Sequence, residues 1–284
     1  MKRAWILSLS CADQPGIVAA VTGNLAAAGC NILEAEQFDD LSNRRFFMRI
    51  VFDPVDSELE SLREGLAPVA LQYGMDWRLR DTAIVPKVLI LVSKFDHCLV
   101  DLLYRKRIGE IAMDVVGIVS NHSRDGDHPR MLDGIPFHHC PITRETKAAQ
   151  EAEVKRIITD SGAELVVLAR YMQILSDDMA KFLSGRCINI HHSFLPGFKG
   201  AKPYHQAFER GVKMIGATGH YVTADLDEGP IIAQDVEAIS HRAMPEELVA
   251  KGRDVERRVL ARAVKAHLEN RVFFNGNRTV VFGE

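Results

Sequence analysis

Two short polar stretches in the second half of the chain carry residue types that could attack a carbonyl group. Asn189 and His191 end the apolar run "CINIHH", and "GHYVTADLDEGP" places His220 before the two turn aspartates Asp225 and Asp227. An amide can donate to a developing oxyanion, an imidazole can donate or shuttle a proton, and a carboxylate can orient the imidazole or deprotonate a water. This combination predicts a catalytic site in which no nucleophilic serine or cysteine is needed.

Each residue also has a purely structural explanation when it is considered alone. Turn aspartates cap hairpins through Asx hydrogen bonds, and a lone strand histidine such as His220 is more often part of a core. Ser193 follows the histidines but lacks the G-x-S-x-G surroundings of a nucleophile, so we expect its hydroxyl to be structural. The combination of amide, imidazole and carboxylate at one predicted sheet favours a site.

The elements that must position these residues begin at Lys87. Short β-branched apolar runs alternate there with helical segments, at 87–93, 114–120, 165–171 and 187–192. Continuous apolar strands of this kind predict a mainly parallel α/β sheet buried on both faces. Such sheets bind ligands beyond the carboxyl ends of their strands, where Asn189 and His191 fall. A hairpin over 215–238, a long helix from Pro245 to about Asn270 and a short strand pair complete this part.

The first 82 residues follow a different pattern. The sequence predicts a strand over 3–11, a helix over 16–28, paired strands over 32–39 and 44–53, a helix over 58–73 and a strand over 75–82. This βαββαβ order is the ferredoxin-like arrangement. Because "RDTAIVPK" at 80–87 predicts a linker, we expect two domains, 1–83 and 87–284.

Composition excludes several classes of protein. The 284 residues are 47% hydrophobic with a formal charge of −3, so there is no basic excess that would favour nucleic acid. The five cysteines are scattered and contain no C-x-x-C pair, which argues against disulfides and predicts a cytoplasmic protein. Asp13 and Pro15 interrupt the first apolar run, so no membrane span is expected.

Metal is the main competing chemistry for the histidines. The pairs at 138–139 and 191–192, with Cys140 nearby, show no H-x-x-x-H or H-E-x-x-H spacing that would place two ligands on one helix face. We therefore expect no metal and no cofactor, and a small-molecule substrate.

The polar motifs carry a family resemblance. Asn189-Ile190-His191, "SFLPGFKGAKPYHQA" and "GATGHYVTADLDEGPII" resemble the 10-formyltetrahydrofolate-dependent formyltransferase and hydrolase superfamily, over about 87–284. The resemblance implies that Asn189 and His191 polarise the formyl oxygen. It also implies that Asp227 pairs with His191 and handles the proton of the attacking water. Asp225 is the rival acid, and the match favours Asp227 because it stands immediately before "EGP".

The segment "LARYMQILS", 168–176, is similar to the one whose backbone lines the folate pterin pocket in this superfamily. The residues expected to bind substrate are Arg170, Tyr171, Met172, Gln173, Ile174, Leu175, His220, Thr223 and Asp225.

Transfer and hydrolysis are distinguished by the loop after the first strand of this part. The related glycinamide ribonucleotide transformylases carry a glycine-rich loop there that cradles the acceptor phosphate, but this chain reads "LVSKFDHCLVDLL" with no glycine between Lys87 and Ile108. Lys94 and His97 could bind an anion or form a solvated helix start. We expect hydrolysis of 10-formyltetrahydrofolate to formate and tetrahydrofolate, which would balance one-carbon pools and supply formate for purine synthesis. A formyltransferase with an unidentified amine acceptor and a non-catalytic amino-acid-binding regulator are the alternatives.

The N-terminal stretch "ADQPGIVAAVTGNLAAAGCNILEAEQ" resembles ACT domains, over about 5–82. Pro and Gly at the two ends of a helix also have a plain local explanation. The resemblance implies pairing of chains through their sheets, hence a homo-oligomer, dimer or tetramer. It further implies that Asp13, Gly16 and Asn31 hold an amino-acid effector. We expect methionine or glycine, because these two amino acids report most directly on one-carbon supply and demand. The alternative is that this domain only dimerises the chain.

Overall fold

The computed structural model of the chain describes residues 4–123, 132, 134–195 and 203–283. They form two compact units. The first comprises the residues up to Val85, together with 269–275 and the residues from Val280 onward, and the second comprises Pro86–Leu268 with 276–279.

The first unit is a four-stranded antiparallel sheet with two helices. Its elements are β1 (Trp5–Ala12), α1 (Ile17–Ala27), β2 (Asn31–Asp40), β3 (Arg45–Asp53), α2 (Leu59–Tyr73) and β4 (Asp76–Asp81). The strand order is β2-β3-β1-β4, and each neighbouring pair is antiparallel. The predicted βαββαβ arrangement is confirmed.

Helical periodicity explains why this unit has one core. Ile17, Val21 and Leu25 recur every four residues along α1 and are buried, so they lie on one face of the helix. They join one cluster with sheet residues such as Leu7 and Leu9, whose alternating positions put them on the same face of β1.

The C-terminal segment differs from the predicted domain boundary, which assigned everything after residue 87 to the second domain. Here β12 (Val272–Asn275) and β13 (Arg278–Val281) form a two-stranded sheet. The ring of Phe273 lies 5.9 Å from that of Phe47, and Arg271 Nη1 lies 3.4 Å from a carboxylate oxygen of Glu36. These contacts explain why 269–275 group with the first unit.

The second unit is built on a seven-stranded sheet. Its elements are β5 (Lys87–Val92), α3 (His97–Arg107), β6 (Asp114–Ser120), β7 (Phe137–His139), α4 (Lys147–Ser161), β8 (Leu165–Leu168), α5 (Asp177–Phe182), β9 (Cys187–His191), α6 (Pro203–Glu209), β10 (Met214–Tyr221), β11 (Ile231–Ala238) and α7 (Pro245–Leu268). The order is β11-β10-β9-β8-β5-β6-β7. Strands β7, β6, β5, β8 and β9 are parallel, and β10 and β11 continue the sheet antiparallel. The mainly parallel α/β prediction is confirmed.

One strand is shorter than predicted. The sequence predicted a strand through residue 171, but β8 ends at Leu168, and Arg170 has a left-handed backbone with φ 65°. A strand requires negative φ, so the chain turns out of the sheet at this point. The residues after this turn form a wall of the candidate site.

None of the helices in the described part of the chain combines the length and the apolar character needed to cross a membrane.

Candidate active site

Strand β9 and its antiparallel neighbour β10 bring the two polar stretches together. Asn189 and His191 are two residues apart, so their side chains leave the same face of β9. His220 stands directly opposite Asn189 in the ladder. Residues 31 positions apart in the chain thus become side-by-side neighbours, with Asn189 Nδ2 3.2 Å from His220 Nε2.

His191 and Asp227 form the central pair. His191 Nδ1 lies 3.2 Å from Asp227 Oδ2, and the two side chains are 6% and 15% exposed. Because an ionised carboxylate can only accept, Nδ1 carries the proton of this contact. Burial alone raises the pKa of Asp227, but the hydrogen bond from His191 and the positive charge it can carry outweigh that effect. The pKa of this carboxyl therefore lies below its usual value.

Among the described residues, the second nitrogen of His191 has no partner. Its Nε2 is enclosed and makes no hydrogen bond with any residue that the structure describes. A buried polar atom without a partner is costly unless something else binds it. With Nδ1 engaged by Asp227, Nε2 is the atom available to a substrate oxygen.

The His220 side chain contacts Asn189 and is shielded from solvent. It is 2% exposed, and its Nδ1 lies 2.9 Å from the carbonyl oxygen of Tyr221, so Nδ1 donates and Nε2 is left to accept from the Asn189 amide. Burial lowers the pKa of His220, which keeps the ring neutral in this role. The ring thereby fixes which way the amide of Asn189 points.

The two turn aspartates are placed differently. Asp227 has a left-handed backbone, φ 57°, and faces the histidines, with Oδ1 also 3.8 Å from His220 Nε2. Asp225 is exposed, and its carbonyl oxygen accepts from the Thr223 hydroxyl at 3.0 Å. Asp227 is therefore the turn aspartate that contacts the histidines.

These residues surround a cavity of about 320 Å³. Every residue predicted to be catalytic or to bind substrate lines it, namely Asn189, His191, Asp227, Arg170, Tyr171, Met172, Gln173, Ile174, Leu175, His220, Thr223 and Asp225. The cavity is also lined by six residues that the sequence did not predict: His192, Leu168, Ile190, Val222, Ala224 and Leu226. The size lies within the range typical of small-molecule sites.

The wall after β8 has no regular secondary structure and is held by side chains of other elements. The Ser93 hydroxyl accepts from Met172 N at 2.9 Å, and Gln150 donates to the Tyr171 hydroxyl at 2.8 Å. The Glu151 carboxylate accepts from Ser176 N at 2.8 Å. The Tyr171 hydroxyl is therefore engaged by Gln150.

His192 is a second histidine of the cavity. Its ring centroid lies 5.2 Å from that of His191. Burial, followed by the nearby charges of Arg170 and His191, lowers the pKa of His192 to about 4. The ring is therefore neutral near pH 7. The sequence indicated His192 only as the second histidine of "NIHH". Because His192 follows the end of the strand, the alternation of side chains along the strand does not specify where it points.

One group of three potential metal ligands occurs among the described residues: His97, Cys98 and Glu256. Its chemistry fits a metal poorly, because burial and the Glu256 charge raise the pKa of the Cys98 thiol well above its usual value. His97 Nε2 lies 2.8 Å from Glu256 Oε2. His97 is thus neither solvated nor free for an anion, which corrects both expectations for it, whereas Lys94 is exposed.

The three residues expected to bind an effector lie at two ends of the first sheet. Asp13 follows Ala12, which pairs with Arg45, whereas Asn31 pairs with Asp53. These partners are separated along β3 by roughly 26 Å. Gly16, with φ 95°, belongs to the Asp13 end. The three residues can share one amino acid only across two chains.

Comparison with known proteins identifies the families that the two parts of the chain match. Residues 86–264 match the formyl transferase family, and residues 5–66 match the ACT domain family. Formyltetrahydrofolate deformylase from a Corynebacterium species is 53% identical over 97% of both chains, and that from Bacillus subtilis is 46% identical over 97% of this chain and 93% of its own. The crystal structure of formyltetrahydrofolate deformylase from Burkholderia mallei is 56% identical and superposes with a TM-score of 0.94, over 99% of this chain and 100% of the other.

Proposed function

This chain belongs to the formyltetrahydrofolate deformylase family, and we propose that its cavity holds the formyl end of 10-formyltetrahydrofolate beside Asn189, His191 and Asp227. The chain is a hydrolase that converts this folate to formate and tetrahydrofolate by cleaving the formyl C–N bond. The observation that carries the placement is the His191–Asp227 pair, with the unpartnered Nε2 of His191 beside the oriented amide of Asn189.

Asn189 and His191 act on the formyl oxygen. The Asn189 amide donates one N–H to His220, which leaves its second N–H for the oxyanion that forms when water adds to the formyl carbon. With Nδ1–H of His191 donating to Asp227, an Nε2–H of the doubly protonated ring would donate to the same oxyanion. Two donors fixed before the reaction stabilise the tetrahedral intermediate without costly rearrangement.

Asp227 also handles the proton of the attacking water. The oxygen of water forms a bond to the formyl carbon while its proton moves to the carboxylate. Collapse of the intermediate breaks the C–N10 bond, N10 takes the proton that Asp227 received from the water, and the formic acid released is ionised at neutral pH. The lowered pKa of Asp227 ensures that the carboxylate begins each cycle ionised.

The wall after β8 binds the pterin end of the folate. Met172 and Ile174 are 51% and 62% exposed although they are apolar, and both line the cavity. Apolar side chains around backbone donors and acceptors suit a flat heteroaromatic ring, whose faces need apolar contact and whose edges need hydrogen bonds.

The donor chemistry supports a reaction that needs no metal or cofactor. His191, His220 and Asn189 are engaged with one another or with Asp227, and none of them belongs to the His97–Cys98–Glu256 group. The water can be activated by the carboxylate alone.

The first unit is an ACT domain, and we propose that it binds an amino-acid effector, methionine or glycine, across two chains of a homo-oligomer. Deformylation consumes a useful one-carbon carrier, so its rate should respond to one-carbon supply. The separation of Asp13 from Asn31 within one chain supports a site shared between two chains.

The proposal is tested by incubating pure protein with 10-formyltetrahydrofolate and no amine. Formate should appear in equal amount to tetrahydrofolate, and glycinamide ribonucleotide should not accelerate the reaction. Strict dependence of the reaction on an added amine would show a transferase instead.

A further inference from the structure

Glu256 is a buried acid that the proposed chemistry does not use. It lies in α7, and its side chain is 1% exposed. The Tyr204 hydroxyl donates to its Oε1 at 2.6 Å, and His97 Nε2 lies 2.8 Å from its Oε2. Arg170 Nε lies 3.3 Å from the same Oε2. Side chains from α3, α6 and the turn after β8 thus converge on one carboxylate.

The carboxylate is ionised in this environment. Burial raises the pKa of Glu256, but the hydrogen bonds from His97 and Tyr204 and the charge of Arg170 together outweigh burial, and its pKa lies below the usual value. A buried acid that stays charged is costly to remove from water, so its partners matter to the structure around it.

The backbone of α7 makes room for this arrangement. Gly252 precedes Glu256 by one helical turn, and a Cβ at Gly252 would lie 2.1 Å from the Tyr204 ring. No side chain larger than hydrogen fits there while Tyr204 reaches Glu256. The helix is therefore shaped to admit the hydroxyl.

Arg170 is the partner that connects Glu256 to the cavity. Its side chain is 10% exposed, and its Nε and Nη1 are enclosed without a hydrogen bond to any described residue. The Nε–Oε2 distance satisfies an ion pair but not hydrogen-bond geometry. Glu256 therefore holds the guanidinium chiefly through its charge.

The backbone of Arg170 is strained. Its φ of 65° is a conformation that glycine adopts with little strain and that a side chain disfavours. Such conformations persist where the surrounding structure compensates for them. The ion pair with Glu256 is a contact that can do so.

The strained turn determines where the folate wall begins. The carbonyl oxygen of Arg170 accepts from Ser93 N at 3.3 Å, and Met172 N donates to the Ser93 hydroxyl at 2.9 Å. Residues 171–175 continue directly from this point and line the cavity. A shift of Arg170 therefore moves the wall.

We propose that Glu256 is a positioning residue of the deformylase site, which holds the Arg170 guanidinium and thereby fixes the left-handed turn from which the wall 171–175 starts. The inference rests on the proposed placement of the folate in this cavity. It predicts that loss of Glu256 weakens substrate binding far more than turnover. Glu256 contacts Arg170, where the wall begins, rather than the catalytic pair His191–Asp227.

The test compares kcat and KM for 10-formyltetrahydrofolate in wild type, Glu256→Gln, Arg170→Gly and the double variant. Glu256→Gln should raise KM about tenfold, equivalent to about 1.4 kcal/mol, and change kcat by less than about threefold, whereas Arg170→Gly, whose backbone adopts the left-handed turn without the ion pair, should raise KM less. The double variant should have the KM of Arg170→Gly, because Glu256 then has no guanidinium to hold. Asp254→Asn alters an exposed acid of the same helix and should leave both constants unchanged.

The double variant keeps the test decisive if Glu256→Gln alone does not fold, because it contains no guanidinium left without its carboxylate and glycine suits the left-handed backbone. A larger KM in Arg170→Gly than in Glu256→Gln, or a further rise in KM when Glu256→Gln is added to Arg170→Gly, would overturn the inference. If Glu256→Gln behaves like wild type while Asp227→Asn loses turnover, only the role of Glu256 fails. If wild type releases no formate, the proposed function itself fails.

Discussion

Asp227 reaches His191 across 3.2 Å, from Oδ2 to Nδ1, by adopting a left-handed backbone that aspartate tolerates better than most residues. Asp225, two positions earlier in the same turn, is exposed. The carboxylate next to His191 is therefore selected by backbone conformation as well as by sequence position.

This placement predicts different outcomes for the two acids. Asp227→Asn should lower kcat by about 10²-fold or more, the usual scale for an acid–base group, and change KM much less. Asp225→Asn is the matched control in the same turn. Formate release measures kcat in both variants. A loss of kcat in Asp225→Asn equal to or greater than that in Asp227→Asn would show that Asp225, and not Asp227, transfers the proton.

Asn189 should contribute only when the oxyanion forms. Asn189→Ala should lower kcat about 10²- to 10³-fold, the cost of removing one oxyanion donor, with little change in KM. His220→Phe removes the acceptor that orients the Asn189 amide and should reduce kcat in the same direction but by less. A larger effect on KM than on kcat in Asn189→Ala would place the amide in ground-state binding instead.

His192 should make the folded state less stable in acid. The pKa of His192 is about 4 in the folded chain and is near 6.5 when the chain unfolds. Between these values the unfolded state binds more protons, so stability falls as pH drops below 6.5. The free energy of unfolding should decrease by roughly 2 kcal/mol between pH 7 and pH 5 from this group alone.

Urea unfolding of wild type and His192→Gln at the two pH values checks this. Glutamine does not titrate, so the variant should lose that part of the pH dependence. An identical pH dependence in the two proteins would contradict the assignment of a neutral, buried His192.

Chelators should leave the rate unchanged. The proposed water activation uses the Asp227 carboxylate, and the Cys98 thiol is held in its protonated form by burial and by Glu256. Formate release with and without EDTA measures this. Activity lost with EDTA and restored by zinc would require a metal in the mechanism.

The ACT unit should couple an amino acid to the catalytic rate. Methionine or glycine should bind and change substrate affinity by roughly 5- to 150-fold, the range of typical coupling between sites. Asp13→Ala should weaken that response and spare the basal rate, because Asp13 belongs to the first unit. Calorimetry and formate release check both amino acids. If neither amino acid binds wild type or changes its rate, the unit acts only in dimerisation.

The sequence by itself determined the fold class and pointed to residues that line one cavity. Apolar runs of period two and helices of period 3.6 are local patterns, so they predicted the βαββαβ unit and the mainly parallel sheet. The motifs around Asn189, His191, Arg170 and Asp227 named residues that all line one cavity. The fold predictions succeeded because each depends on neighbouring positions in the chain.

Only the tertiary structure decided which distant groups meet. Glu256 lies 86 residues after Arg170, inside an amphipathic helix where one more glutamate carries no signal of its own. The strand end at Leu168 was also missed, because the apolar pattern continues to Tyr171 while the backbone turns at Arg170. The pairing of charges depends on distance and burial in three dimensions, and a one-dimensional pattern specifies neither for residues far apart in sequence.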